Sequence, residues 1–130
     1  MPRPISRTFA ALLLAASPLA LSACSESNAQ EADRFANVEI KAEPLAEGVA
    51  VLFGAGGNIG VSYGPDGTVL IDDQFAPLTD KIKAAVKDLG AGPVKYLINT
   101  HWHWDHTGGN ENLGQSGVLI MAHDHVRERL

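Results

Sequence analysis

The sequence predicts a mixed α/β fold, and three observations predict it. Short apolar runs separated by glycine-rich turns fill residues 49–72. Residues 78–89 change to a helical period. A further apolar, β-branched run, Val94 to Asn99, follows that stretch, so the chain reads as an antiparallel meander leading into a strand–helix–strand crossover.

Each element has a local reason. Val38-Glu39-Ile40-Lys41 alternates apolar and polar, as a half-buried edge strand does, and Pro44 breaks it. Val49 to Phe53 is an apolar strand, Gly54-Ala55-Gly56-Gly57 a flexible turn, and Asn58 to Tyr63 the next strand. Gly64-Pro65-Asp66-Gly67 is a strong turn signal, because proline presets φ and glycine accepts positive φ. Thr68 to Ile71 is again β-branched and apolar. Within the helix, Ile82, Val86 and Leu89 share one face, Thr79 caps the start and Gly90 suits the position after the end. A crossover of this length makes residues 68–72 and 94–99 parallel neighbours. Val118 to Met121 is another short buried strand, and His125 to Leu130 begins a helix. Gly54 to Gly60 loosely suggests a dinucleotide loop, but it lies between two strands with no helix opening at its end, which fails that motif's context.

The amino-terminal residues read as an export signal. Arg3 and Arg7 give a positive start, and Phe9 to Leu21 is apolar but too short and too broken by Ser17-Pro18 to span a bilayer. Leu21-Ser22-Ala23-Cys24 resembles a bacterial lipobox, which implies lipidation of Cys24 and cleavage before it. An ordinary signal peptide cut near Ala23 or Ala29 is the alternative. The expected organisation is residues 1–23 signal peptide, 24–37 polar tether, and 38–130 a single domain, periplasmic or membrane-anchored. Removing residues 1–23 takes away two arginines and no acids, moving the net charge from −5 to −7. An acidic chain without a basic patch argues against nucleic-acid binding and against electrostatic attachment to anionic lipid, so any membrane attachment is covalent. The lone cysteine forms no disulfide within one copy.

His101-Trp102-His103-Trp104-Asp105-His106 places four metal-binding side chains within six positions, directly after strand 94–99. Packing needs no such density of imidazole and carboxylate; divalent metal does. The carboxyl end of a strand in an open α/β sheet is also where ligand sites form. Too few donors per metal leaves open positions, and an open position on zinc holds water activated toward hydroxide. Gly108-Gly109 permits the chain to bend behind the donors. Trp102 and Trp104 wall the site or fill the core; Thr107 gives a supporting hydrogen bond or caps a helical turn. Asp72, at the end of strand 68–71, sits where it supports the loop, although Asp72-Asp73 also reads as a solvated pair. His123 and His125 read as surface residues at a strand-to-helix junction, with metal ligation the lesser alternative.

The hexad, Asp72 and Gly108-Gly109 together resemble the metallo-β-lactamase superfamily over about residues 38–130, and Asn99 to His103 with Gly108 to Glu111 resembles its periplasmic hydrolase-like branch. The resemblance implies the amino-terminal half of an αβ/βα sandwich, a mixed sheet with helices on its outer face. It implies zinc as cofactor, two ions in a complete protein, with His101 and His103 on the first and Asp105 and His106 on the second. Asp105 would be catalytic, orienting a bridging hydroxide that attacks an ester, thioester or lactam carbonyl of a small-molecule substrate; Asp72 matches the family's supporting aspartate. The family completes its metals with later His and Asp residues, which do not occur before Leu130, so the resemblance also implies a longer protein or a truncated product. The alternative function is therefore a non-catalytic lipoprotein fragment of such an enzyme. Iron-based redox chemistry on the same fold is a further reading.

Overall fold

The computed structural model describes residues 34–130. The expected export signal, Cys24 and most of the expected tether lie outside them. Six strands form one sheet in sequence order: β1 (Lys41–Ala46), β2 (Val49–Phe53), β3 (Ile59–Gly64), β4 (Gly67–Ile71), β5 (Val94–Asn99) and β6 (Leu119–Ala122). The first four pair antiparallel; β4–β5 and β5–β6 pair parallel, as the crossover requires. Gly64 faces Gly67 across the β3–β4 hairpin, so Pro65-Asp66 makes the turn. Helix α1 (Thr79–Asp88) covers one sheet face, with Ile82 and Val86 in one buried cluster with Leu52, Leu70 and Leu97. Short helical turns α2 (Trp104–Thr107), α3 (Asn110–Gln115) and α4 (Asp124–Arg127) follow. Among the described residues, no helix is long and apolar enough to cross a membrane.

Several expectations need correction. The first strand runs from Lys41 to Ala46 rather than Val38 to Lys41, and Pro44 lies inside it. An edge strand tolerates proline because one row of its backbone groups has no partner, and the register shifts between Pro44 and Ala46 as at a bulge. Folded structure begins earlier than residue 38: Phe35 is buried and stacks on Phe75 with ring centroids 4.6 Å apart. Lys81 Nζ donates to the carbonyls of Phe35, Ala36 and Val38 and ties this turn to α1. Thr79 does not cap α1. A 3-10 turn, Ala76–Leu78, precedes the helix, and the Thr79 hydroxyl donates back to Ala76 O at 2.9 Å. Gly90 does take positive φ (75°) just past the helix end.

The second sheet face is open. Val69, Tyr96 and Leu119 stand in register across β4, β5 and β6, and so do Ile71, Ile98 and Met121. All but Val69 are exposed apolar side chains. Their opposite-pointing neighbours Leu70, Leu97 and Ile120 face the covered side, as the two-residue period of a strand dictates.

Candidate metal centre

The carboxyl ends of β4 and β5 build the site. After β4 the chain turns through Asp72 (φ 66°) and Gln74 (φ 55°), both in the left-handed region although neither is glycine. Such residues cost on the order of 1–3 kcal/mol each and persist where surrounding bonds over-determine them. Those bonds are present. Asp72 N donates to Ile98 O, Asp73 N donates to His106 O, and Gln74 O accepts from Gly108 N at 2.8 Å. The Gln74 amide also donates to Gly57 O.

Asp72 is buried and has both carboxylate oxygens engaged. Oδ1 accepts from Thr100 N (2.8 Å), and Oδ2 from Thr100 Oγ1 (2.8 Å) and from His106 Nδ1 (2.7 Å). Thr100 has a single hydroxyl proton. If it goes to Asp72, Oγ1 can only accept from His101 Nδ1, 3.0 Å away. Both imidazoles then carry their proton on Nδ1 and present Nε2 lone pairs, the tautomer that metal ligation requires. Asp72, His101 and His106 offer ligand atoms within 4.8 Å of one another. Asp105 Oδ2 lies 3.4 Å from His106 Nε2, and the His103 ring meets the His101 ring edge-on at 4.7 Å.

The donor set fits a divalent metal on two counts: its chemistry, and the space kept for it. A Cβ on Gly57 would lie 2.3 Å from the His106 ring, and one on Gly56 would lie 2.5 Å from Asp105 Cβ. The β2–β3 turn, dismissed as a nucleotide loop, thus roofs the donors and must be glycine to do so. Gly108-Gly109 has a different reason from the one expected. Both have ordinary right-handed helical angles, so no bend demands them. A Cβ at Gly108 would instead meet Gln74 O at 2.7 Å, and one at Gly109 the Asp73 carboxylate at 3.1 Å.

Two supporting residues have no clear sequence signal. Asp73 is almost fully buried, and its Oδ1 accepts from Gly109 N at 3.1 Å while Oδ2 has no partner. Burial pushes its carboxyl up to about 7; the neighbouring Asp72 charge acts in the same direction, against the Gly109 hydrogen bond and His106. Asn99 donates to the His106 carbonyl at 3.2 Å and accepts from Asn110 at 2.9 Å, so two donors clamp the backbone of His106. Thr107 donates to His103 O within the helical turn. Trp102 and Trp104 are exposed and not core. His123 and His125 are exposed, pack edge-on against each other, and do not join Asp72, His101 and His106 in the close group of ligand atoms.

Residues 52–125 match the family model described as the metallo-beta-lactamase superfamily. Solved structures with the same fold include a metallo-beta-lactamase from Hirschia baltica (27% identity, TM-score 0.61, covering 69% of this chain and 46% of that one). One from Erythrobacter litoralis, with β-mercaptoethanol in its active site, gives 27% identity and a TM-score of 0.60 over 70% and 46%. The FIM-1 enzyme of Pseudomonas aeruginosa in a mono-zinc form, at 22% identity and a TM-score of 0.61 over 71% and 47%, shows likeness of fold alone. The chain spans about half the length of these structures. No curated protein matches it.

Proposed function

We propose, from the premise that the chain belongs to the metallo-beta-lactamase superfamily, that it is the metal-binding part of a zinc-dependent hydrolase acting on a small-molecule ester, thioester or lactam. The observation that carries this reading is the convergence of His101 and His106 beside carboxylates, with their Nδ1 atoms already committed. His101 and His103 would hold one zinc, and Asp105 and His106 a second. Bound zinc supplies Lewis acidity and lowers the pKa of water at its open position toward neutrality.

The chain's own residues then divide the remaining work. Asp72 is a positioning residue: using its oxygens as metal ligands would forfeit bonds to Thr100 and His106. It keeps the His106 proton on Nδ1 and, through the Thr100 hydroxyl, the His101 proton as well. Asp105 reaches the same point as His106 Nε2 and is the carboxylate available to orient an attacking water and accept its proton. Asp73 and Asn99 fix the His106 backbone, so the imidazole is aimed before any metal arrives.

Zinc analysis of the purified full chain, paired with hydrolysis of a chromogenic lactam and a thioester with and without chelator, tests this reading. Bound zinc and chelator-sensitive turnover are expected; folded protein that takes up no divalent metal would remove it. A second reading is favoured by the open apolar face across β4, β5 and β6: a chain that holds metal but turns nothing over by itself. Zinc uptake without turnover selects that reading.

We also propose export and lipidation at Cys24, supported by the charged start, the apolar run and Leu21-Ser22-Ala23-Cys24. Incorporation of labelled palmitate that disappears in Cys24→Ser is the expected result. No labelling of either protein would leave only plain secretion.

A further inference from the structure

Beside Asp105 opens a cleft of about 440 Å³ whose other lining residues have no part in the hydrolase reading. Its lining includes Arg34, Phe35, Ala55, Phe75, Trp104 and Asp105. Trp104 is 76% exposed although it sits between His103 and Asp105 in the hexad. A large indole left in water next to the donors has no packing role on the described residues, and water gives up such surface readily to an apolar ligand. Across the cleft, Phe75 is held by its stack on Phe35, which is itself buried. The Arg34 guanidinium lies 5.3 Å over the Phe35 ring, and among the described residues it forms no ion pair. The lining of the cleft therefore combines a cation, three aromatic side chains and one carboxylate of the donor run.

We propose that this cleft is the acyl-group subsite and that it selects substrates joining a planar apolar group to an anionic substituent. The inference rests on the hydrolase reading for the word substrate, but the ligand chemistry comes from the cleft itself. In this proposal a reacting carbonyl lies beside Asp105, its attached ring against Phe75 and Trp104, and its carboxylate on Arg34, all of which line the cleft. A volume of this size is within the range of small-molecule sites, roughly 300–1,000 Å³. The residues at the Arg34 end belong to a stretch that reads as tether in sequence, so part of the specificity would come from outside the expected domain.

The test is calorimetric titration of the full chain, zinc-loaded and again after chelation, with phenylacetate and with its neutral counterpart phenylacetamide. The chelated protein decides the matter, since a carboxylate can coordinate zinc directly. There, phenylacetate is expected to bind about tenfold more tightly than the amide, the scale of one charge-assisted hydrogen bond. Arg34→Gln should erase the difference and Arg34→Lys restore part of it. Trp104→Ala should weaken both probes while zinc content stays at the level of the unsubstituted protein. An unchanged preference in Arg34→Gln, or no binding of either probe to the chelated and zinc-loaded forms, overturns the proposal. If that happens while chelator-sensitive hydrolysis persists, only the subsite falls. If the probes bind as expected and no hydrolysis is found, the cleft stands and the hydrolase reading falls.

Discussion

The segment after β4 and the segment after β5 meet at the same point and do different jobs. Residues 101–106 carry the donors in a run that is chemically conspicuous. Residues 72–74 carry their support: a buried carboxylate with both oxygens engaged, a second buried carboxylate, and two left-handed backbone turns. The comparison teaches that the identity of the donors is local in sequence, whereas their orientation is set by chain brought in from 28 or more residues away. Substituting each segment separates the two contributions.

The largest effect is expected in the donor segment. His103→Ala should abolish the proposed hydrolysis, and His101→Ala or His106→Ala should lower zinc affinity by well over the ~100-fold that marks loss of an outer support; metal competition titration measures this. Asp72→Ala comes next. It should cost about 10–100-fold in zinc affinity with the donors intact, and imidazole ¹⁵N shifts should reveal mixed His106 tautomers. An Asp72→Ala variant with unchanged affinity and a single tautomer would break the division between donors and support. Gly57→Ala probes the roof, because its Cβ would overlap the His106 ring. A loss of roughly tenfold in zinc affinity is expected, with little change in melting temperature.

A separate, pH-dependent effect concerns Asp73 in the metal-free chain. Its folded pKa is raised from 3.8 to about 7, so the folded state holds the proton more tightly than the unfolded state. The resulting stability is fully present below about pH 4 and is lost as pH rises through about 7. Denaturant unfolding across that range should show a decline that Asp73→Asn lacks. Parallel curves for the two proteins would contradict it.

Reading the sequence recovered the meander, the crossover helix and the donor run, because each is written in contiguous residues. Ile82 and Val86 mark a helix by spacing alone, and Thr68 to Ile71 marks a strand by composition. It did not recover Gln74, which reaches Gly57 O across 17 residues, or the reason for Gly57, whose Cβ would meet the His106 ring, since such close approaches leave no local trace. Asp73 looks like half of a solvated pair until the fold buries it. Phe35 is a lone aromatic in a polar stretch, and only its stack on Phe75 makes it core. Pro44 and Gly108-Gly109 misled for the opposite reason. Their usual local meanings, strand breaker and bend, yield here to an edge position and to crowding against Gln74 O.

The open sheet face offers a contrast within the same strands. Leu97 is fully buried beneath α1, while Ile98 beside it faces outward. Leu97→Ala should cost about 2–5 kcal/mol in unfolding free energy, whereas Ile98→Ser should leave stability nearly unchanged and improve solubility.

The central claim is that His101 and His106 are aimed by the Asp72–Thr100 pair to take up zinc. Zinc content of the full chain after loading and desalting tests it most directly, measured beside the His101→Ala/His106→Ala double variant with folding of both checked by circular dichroism. The account predicts at least one equivalent in the unsubstituted chain and none retained by the variant. Equal zinc in the two folded proteins, or none in either, would contradict it.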